Sequence, residues 1–285
     1  MGQETGDRRQ GDQSKGGSFD DWKKSRVTET RVIIRYEGGS YSRQEDSVVA
    51  EAPLTIMLNE QELATIVCSP YAQKELVIGF LAGEGLIRDL SDLKGYFHRE
   101  KQEVVWVETD LPVQEQQENM LRRNFASCCG KGRPTLYFRN DAGQIAPLTG
   151  GVKFTPQQIL NLIRQLEEDS DNFRLTGGVH SAGLAGPEGI MARYEDIGRH
   201  NALDRILGHV ILKSVPTSDK AVLLSGRISS EMLIKAARIG TPVVVSRSAP
   251  TGLAIDLAED LNITVVGFAR GDRMNIYCHQ ERIVV

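Results

Sequence analysis

Two neighbouring thiols stand in the most reactive stretch of the chain, Ser127-Cys128-Cys129-Gly130-Lys131-Gly132-Arg133. Two glycines give this loop freedom, and Lys131 and Arg133 supply positive charge that favours a thiolate over a thiol. An accessible thiolate attacks sulfur or carbonyl centres. A structural zinc would need four Cys/His ligands. The other cysteines, Cys68 and Cys278, stand alone in sequence, so such a site would have to borrow histidines. Both read as small core residues, the usual lot of an unpaired cysteine inside a fold.

A second cluster is cationic. Three apolar runs, 221–224, 243–245 and 263–268, lead into Ser225-Gly226-Arg227, Ser246-Arg247 and Phe268-Ala269-Arg270. If the runs are parallel strands, their carboxyl ends share one edge, the edge on which α/β folds bind ligands. Guanidinium groups there suit a pyrophosphate or another polyanion. Gly271, Asp272 and Arg273 extend the last loop. The plainer reading is that arginines sit at strand ends because those ends are solvated. Two familiar phosphate motifs are absent: Gly183-Leu184-Ala185-Gly186 lacks the GxGxxG spacing, and Gly130-Lys131-Gly132-Arg133 lacks the GK[ST] of a P-loop. His180 and His200 flank polar stretches and fit either a site or an ordinary hydrogen-bonded role.

The elements that must hold these residues fall into three parts. Residues 1–30 carry only four hydrophobic residues (Met1, Phe19, Trp22, Val27) and read as a disordered tail. Residues 31–150 read as a β-rich α+β domain bearing the cysteine loop, with strands at 32–36, 48–58, 63–68, 104–107 and 135–138. Ser69-Pro70 is expected to open a helix, serine as cap and proline at the first position, which Gly83 would end. The Gly150-Gly151 region is the expected seam. Residues 151–285 then show helical spacing at Ile159, Leu162, Ile163, Leu166 and at Leu203, Ile206, Leu207, Val210. Between these lies a hairpin turning at 185–189, and after them strands alternate with helices, which implies a parallel sheet.

Composition narrows the function classes. The chain has 285 residues, 40% of them hydrophobic, and a net charge of −4, so it is no polycation built to coat nucleic acid. Its longest apolar run, 76–83, is far short of the roughly 20 residues that span a bilayer. With no apolar segment at the N-terminus to act as an export signal, the four cysteines are expected to be reduced and the protein cytoplasmic.

Glu195-Asp-Ile-Gly-Arg-His-Asn-Ala-Leu-Asp204, followed by Ser225-Gly-Arg227 and by 268–273, makes the chain recognisable. From about residue 30 to the C-terminus it resembles the FdhD/NarQ family of formate dehydrogenase accessory proteins. The resemblance implies a C-terminal three-layer α/β/α domain like the cytidine deaminase fold. It implies a sulfurtransferase that accepts a persulfide from a cysteine desulfurase and passes the sulfur to a molybdenum bis(guanine dinucleotide) cofactor used by formate dehydrogenase. A homodimer is also implied. On this resemblance the persulfide falls on Cys129, and the cofactor-binding segment on Phe268, Ala269, Arg270, Gly271, Asp272 and Arg273. Arg227 and Arg247, tipping the other two runs, and His200 are added to the cofactor-binding set. Many members carry Cys-Gly-x-Cys-Gly; here Gly132 stands three after Cys129, and the extra thiol is Cys128, an auxiliary or an accident. Zinc deaminase chemistry is excluded, for no Pro-Cys-x-x-Cys accompanies the His-x-Glu triplets at 98–100 and 279–281. A cofactor-binding chaperone with inert cysteines is the alternative reading.

Overall fold

The computed structural model describes residues 27–110, 143 and 145–284. Residues 1–26 and the segment holding Cys128 and Cys129 lie outside the described residues, as does the expected strand at 135–138.

The described chain opens as an antiparallel ribbon, β1 (Thr28–Glu37) and β2 (Ser40–Val49). Gly38 and Gly39 turn it with φ of 58° and 87°, the left-handed pair that a two-residue hairpin loop demands. Two expectations are corrected here. Residues before 31 are already part of a strand, because Thr28 to Thr30 pair with Ser47 to Val49. The run 48–58 is not one strand: β2 stops at Val49, and β3 (Ala52–Leu58) starts a different sheet, with the Ala50 amide closing the ribbon on the Val27 carbonyl at 2.7 Å.

β3 joins β4 (Gln61–Cys68), β5 (Leu93–Arg99) and β6 (Val104–Thr109) in the order β4-β3-β6-β5. Period-two alternation puts Leu54, Ile56, Leu58, Val105 and Val107 on its buried face. Against that face lies α1 (Gln73–Gly83), whose residues from Leu76 on are all buried. The helix does not open at Ser69-Pro70 as expected. Its first flanking residue is Ala72, in the left-handed region, because Ser69 is spent elsewhere: its amide donates to Asp196 and its hydroxyl accepts from the Ile197 amide. The helix does end at Gly83, as expected, although the left-handed glycine that turns the chain is Gly85 (φ 70°).

The second sheet has the order β12-β11-β10-β9-β7-β8. β9 (Ala221–Leu224), β10 (Val243–Ser246) and β11 (Thr264–Arg270) are parallel, as the apolar runs implied. The hairpin β7 (His180–Gly186) and β8 (Gly189–Asp196) and the edge strand β12 (Arg273–Cys278) run antiparallel. Alternate residues face opposite layers. Ala221, Leu223, Val243 and Val245 pack with Phe154, Ile159 and Leu166, which brings in α2 (Pro156–Glu168). Val222, Leu224 and Val244 face α4 (Arg199–Lys213), α5 (Ser230–Ile239) and α6 (Gly252–Asp260). Short α3 (Asp171–Thr176) links α2 to β7.

One core runs through both sheets, because α1 packs directly on α4. The crossing is glycine against backbone. A Cβ on Gly79 would lie 1.7 Å from the Asp204 carbonyl oxygen, and one on Gly208 would lie 1.9 Å from that of Glu75.

Candidate functional site

The carboxyl ends of β9, β10 and β11 form one rim, and main-chain and hydroxyl bonds stitch their loops together. The Arg247 amide donates to the Leu224 carbonyl (3.1 Å) and the Ser246 hydroxyl to the Gly226 carbonyl (2.6 Å). The Phe268 amide donates to the Ser248 carbonyl (3.1 Å), and Arg270 Nε to the Arg247 carbonyl (2.8 Å). Because β7 runs against β9, its first residue comes to the same rim: the Ser181 amide donates to Ser225 Oγ, and the Ser225 amide to the Ser181 carbonyl. His180 pairs with Asp196 at the end of β8, from which the chain passes into α4 at Arg199 and His200. A Cβ on Gly226 would lie 3.5 Å from His180 Nδ1 and 3.7 Å from Arg199 Cδ, so both side chains border the first rim loop.

The structure therefore places Arg227, Arg247, His200 and the 268–273 segment along one edge, in unequal states. Arg227, Arg270 and Arg273 are exposed. Arg247 is held by α2, its Nε 2.5 Å from Glu167 Oε1. His200 Nε2 lies 3.0 Å from Glu231 Oε2 in the first turn of α5. Ala269 is fully buried in the core, so only its backbone can face a ligand. Phe268 adopts φ 51°, unusual for an aromatic residue, beside a break in register between β11 and β12, and its ring lies 5.7 Å from the Arg270 guanidinium carbon. Gly271, at φ 58°, makes the turn with Asp272 that sets Arg273 opposite Arg270. Burial, reinforced by the charges of Arg199 and His200, lowers the His180 pKa. Sequence reading left His180 undecided and passed over Arg199; neither could be placed without knowing that β7 runs backwards against β9.

Most of the 195–204 stretch serves as a clasp. Asp196 is fully buried. One carboxylate oxygen accepts from the Gly198 amide and Asn201 Nδ2, both at 2.8 Å. The other accepts from the Ser69 amide (3.0 Å) and from Arg205. Arg205, also fully buried, donates to the Ser69 carbonyl (2.8 Å) and the Tyr71 carbonyl (3.0 Å), and its guanidinium stacks 4.7 Å from the Tyr71 ring centre. Tyr71 accepts from the Glu195 amide and donates to the Glu195 carbonyl. Asp204 binds Lys235 Nζ at 2.6 and 2.7 Å. These groups join the four-stranded unit to the rim.

The sequence matches the FdhD/NarQ family over residues 49–284, which takes in both sheets, the clasp and the rim. The chain belongs to the FdhD/NarQ family. Among its relatives is a Bacillus licheniformis protein named sulfur carrier protein FdhD, 46% identical over 90% of this chain and 97% of its own length. Proteins of the same name from Bacillus subtilis (45%, 90% and 98%) and Staphylococcus aureus (46%, 88% and 95%) are similarly close. A crystal structure from Desulfotalea psychrophila, provisionally described as a formate dehydrogenase accessory protein, superposes with a TM-score of 0.74 at 26% identity, over 90% of this chain and all of that one.

The two described cysteines of this FdhD/NarQ protein are poor nucleophiles. Cys68 is fully buried, and burial pushes its thiol up to about 12. Cys278 is half-buried, its thiol donating to the Ile263 carbonyl at 3.2 Å, and its pKa is raised as well, chiefly by burial. No group of three or more His, Cys, Asp or Glu side chains among the described residues could hold a metal. No helix among them is long and apolar enough to cross a membrane. Where the chain resumes after the cysteine segment, it is fixed at the other end of the sheet. The Leu148 amide donates to the Leu261 carbonyl, and a Cβ on Gly150 would strike the Ser218 carbonyl and Pro242, at the amino ends of β9 to β11.

Proposed function

We propose that this protein is a sulfur carrier. Cys129 accepts sulfur from the persulfide of a cysteine desulfurase, and the rim holds the acceptor as substrate, a molybdenum bis(guanine dinucleotide) cofactor destined for formate dehydrogenase. The Cys129 thiolate attacks the terminal sulfur of the donor persulfide; the donor S–S bond breaks and the donor leaves as thiolate, with no net oxidation. The observation that carries this reading is the inertness of the other two sites: buried Cys68 and hydrogen-bonded Cys278 leave the Cys128-Cys129 loop as the place for a reactive thiolate. Close relatives named sulfur carrier proteins support the same chemistry. We read the six-stranded unit as a variant of the cytidine deaminase architecture without its zinc chemistry, and the protein as cytoplasmic, where thiols stay reduced.

Exposed Arg227, Arg270 and Arg273 suit the two pyrophosphates of the cofactor, at about 1.5–3 kcal/mol for each charge-assisted bond. Sixteen positions separate Cys129 from Ile145. Fully extended they reach up to about 55 Å, more than the roughly 23 Å of seven-residue β11. Chain length is therefore no obstacle to delivering sulfur at the opposite edge. The test is intact mass after incubation with a cysteine desulfurase and cysteine. Wild type and Cys128→Ala should gain sulfur and Cys129→Ala should not. Loading on Cys129→Ala, with none on Cys128→Ala, would move the role to Cys128. Arg270→Ala should weaken binding of a guanine nucleotide about ten-fold in calorimetry at low salt and leave loading intact. Arg247→Ala, whose guanidinium Glu167 already holds, should cost less. Unchanged affinity in Arg270→Ala would remove the rim as the binding site.

A further inference from the structure

His200 stands in the first turn of α4, and its two ring nitrogens have different surroundings. Nε2 is sealed from solvent, 3.0 Å from Glu231 Oε2, whereas Nδ1 has no partner among the described residues. The two helices set this pairing. One turn further along both, Asp204 of α4 binds Lys235 of α5 at 2.6 and 2.7 Å, and both residues are buried. His200 to Asp204 and Glu231 to Lys235 are each a step of four residues, which keeps one helix face. The buried pair therefore locks the register that brings Glu231 opposite His200. Ser229 caps α5 by accepting from the Met232 amide, and so fixes the turn that carries Glu231. An acidic residue in a first turn also suits the helix dipole. The dipole alone explains a glutamate there, but not a carboxylate seated on a buried ring nitrogen.

Given the rim as the anion-binding edge, the reading on which this rests, we propose that Glu231 is a positioning residue. It keeps a hydrogen on His200 Nε2, so that Nδ1 is left for the ligand and takes up a proton from solvent when a pyrophosphate binds. A carboxylate accepts hydrogen bonds and cannot donate them, so the nitrogen that faces Glu231 is the one that carries the hydrogen. In the uncharged ring Nδ1 is then a bare acceptor, the wrong partner for a phosphate oxygen. A proton on Nδ1 makes it a donor and places an imidazolium between two anions, Glu231 and the phosphate. The other charges around the ring oppose one another. Asp204, one turn along α4, favours the added charge, and Arg199 beside it and His180 on β7 disfavour it. Asp196 acts on His180 in turn, and Lys235 is held by Asp204 with Glu84 4.0 Å away. A glutamine at 231 would remove the constraint. Its amide can donate to Nε2, the ring can carry its hydrogen on Nδ1, and the phosphate is met by a neutral imidazole.

The test is calorimetry of GDP-mannose binding to the full chain near pH 7.5, in buffers of different ionisation enthalpy, which counts the protons taken up. Both phosphates of this probe are diesters and have no proton of their own to gain or lose near neutral pH, and an ordinary imidazole is mostly uncharged there. Wild type should take up about one proton per nucleotide and bind up to about ten-fold more weakly for each pH unit above neutrality, because proton and ligand are linked. Glu231→Gln should take up less than about a third of a proton and lose most of that pH dependence. His200→Gln should abolish the uptake and His180→Gln should leave it. If Glu231→Gln misfolds by circular dichroism, nitrogen NMR of histidine-labelled wild type decides instead. His200, assigned with His200→Gln, should hold hydrogen on Nε2 alone when free and on both nitrogens when bound. A glutamate that serves only the helix would lower the melting temperature and leave the proton count unchanged, which would overturn the proposal. So would uptake that survives His200→Gln and disappears in His180→Gln. If the probe does not bind, or Arg270→Ala binds it as tightly as wild type, the rim reading itself fails and this role falls with it. A probe that binds, more weakly to Arg270→Ala, but with no proton taken up overturns the role of Glu231 alone.

Discussion

Replacing Arg205 by methionine should loosen the join between the two sheets before it affects either one. Arg205 is fully buried and bridges Asp196 to the Ser69 and Tyr71 carbonyls. Methionine fills much of the same volume but leaves the Asp196 carboxylate, among the described residues, with the Ser69 and Gly198 amides and Asn201 as donors. Removing one partner of a buried ion pair costs about 3–5 kcal/mol. Each carbonyl that loses its donor adds about 1–3 kcal/mol. These terms overlap, so the expected loss is about 4–6 kcal/mol, a large share of the about 5–15 kcal/mol that holds a domain folded. Trp106 on β6 reports on the four-stranded unit, and in a Trp22→Phe background it is the only tryptophan. In urea, its fluorescence and far-ultraviolet circular dichroism should coincide for the parent and separate for Arg205→Met, with Trp106 moving first. Adding Asp196→Asn removes the unpaired charge and should recover part of the loss. A drop below about 1 kcal/mol with coincident transitions would refute the clasp as the coupling element.

The helix crossing gives a steric prediction. Gly208→Ala sets a Cβ 1.9 Å from the Glu75 carbonyl and must push α1 off α4, a loss of about 1–3 kcal/mol or more, whereas Gly252→Ala, with nothing within 4 Å, should be neutral or slightly stabilising in thermal melts. The histidines give a pH prediction. Burial lowers the pKa values of His98, His180 and His209 from the ordinary 6.5. The unfolded chain then takes up protons first as pH falls, so their stabilising contribution is complete above about pH 7.5 and declines below about 6.5 until each folded-state pKa is passed. A urea midpoint that stays flat from pH 8 to 5 would contradict this.

Much of the rim could be read from the sequence, and little of what positions it. The three Arg-tipped runs are parallel neighbours because their apolar residues alternate with helical spacings of crossover length, a signal local to each segment. The role of Ser69 could not be read. A serine before Pro70 has the local chemistry of a helix cap, but a buried carboxylate 127 residues away takes its amide, and α1 starts without it. Propensity was overridden by a tertiary demand that leaves no local trace. The turn of the β1–β2 ribbon was within reach, since Gly38-Gly39 between two polar, β-branched runs is a hairpin signal. The high polarity of β2 hid it, because a ribbon exposed on both faces has no need of the apolar alternation by which strands are recognised. His180 needed strand direction, which periodicity does not carry.

The stretch 195–205, which holds the most recognisable part of the chain, divides its work over the first two turns of α4. Arg199 and His200 lie at the rim, while Asn201, Asp204 and Arg205 turn inward to Asp196, Lys235 and the Ser69–Tyr71 segment. Asp196 connects the two tasks. One of its oxygens fixes the start of α4, and with it the positions of Arg199 and His200, through the Gly198 amide. The other fixes the four-stranded unit through the Ser69 amide and Arg205. The four-stranded unit continues directly from Asp110 into the segment that bears Cys128 and Cys129. One buried carboxylate thus sets the rim and the root of the thiol-bearing segment in a common frame.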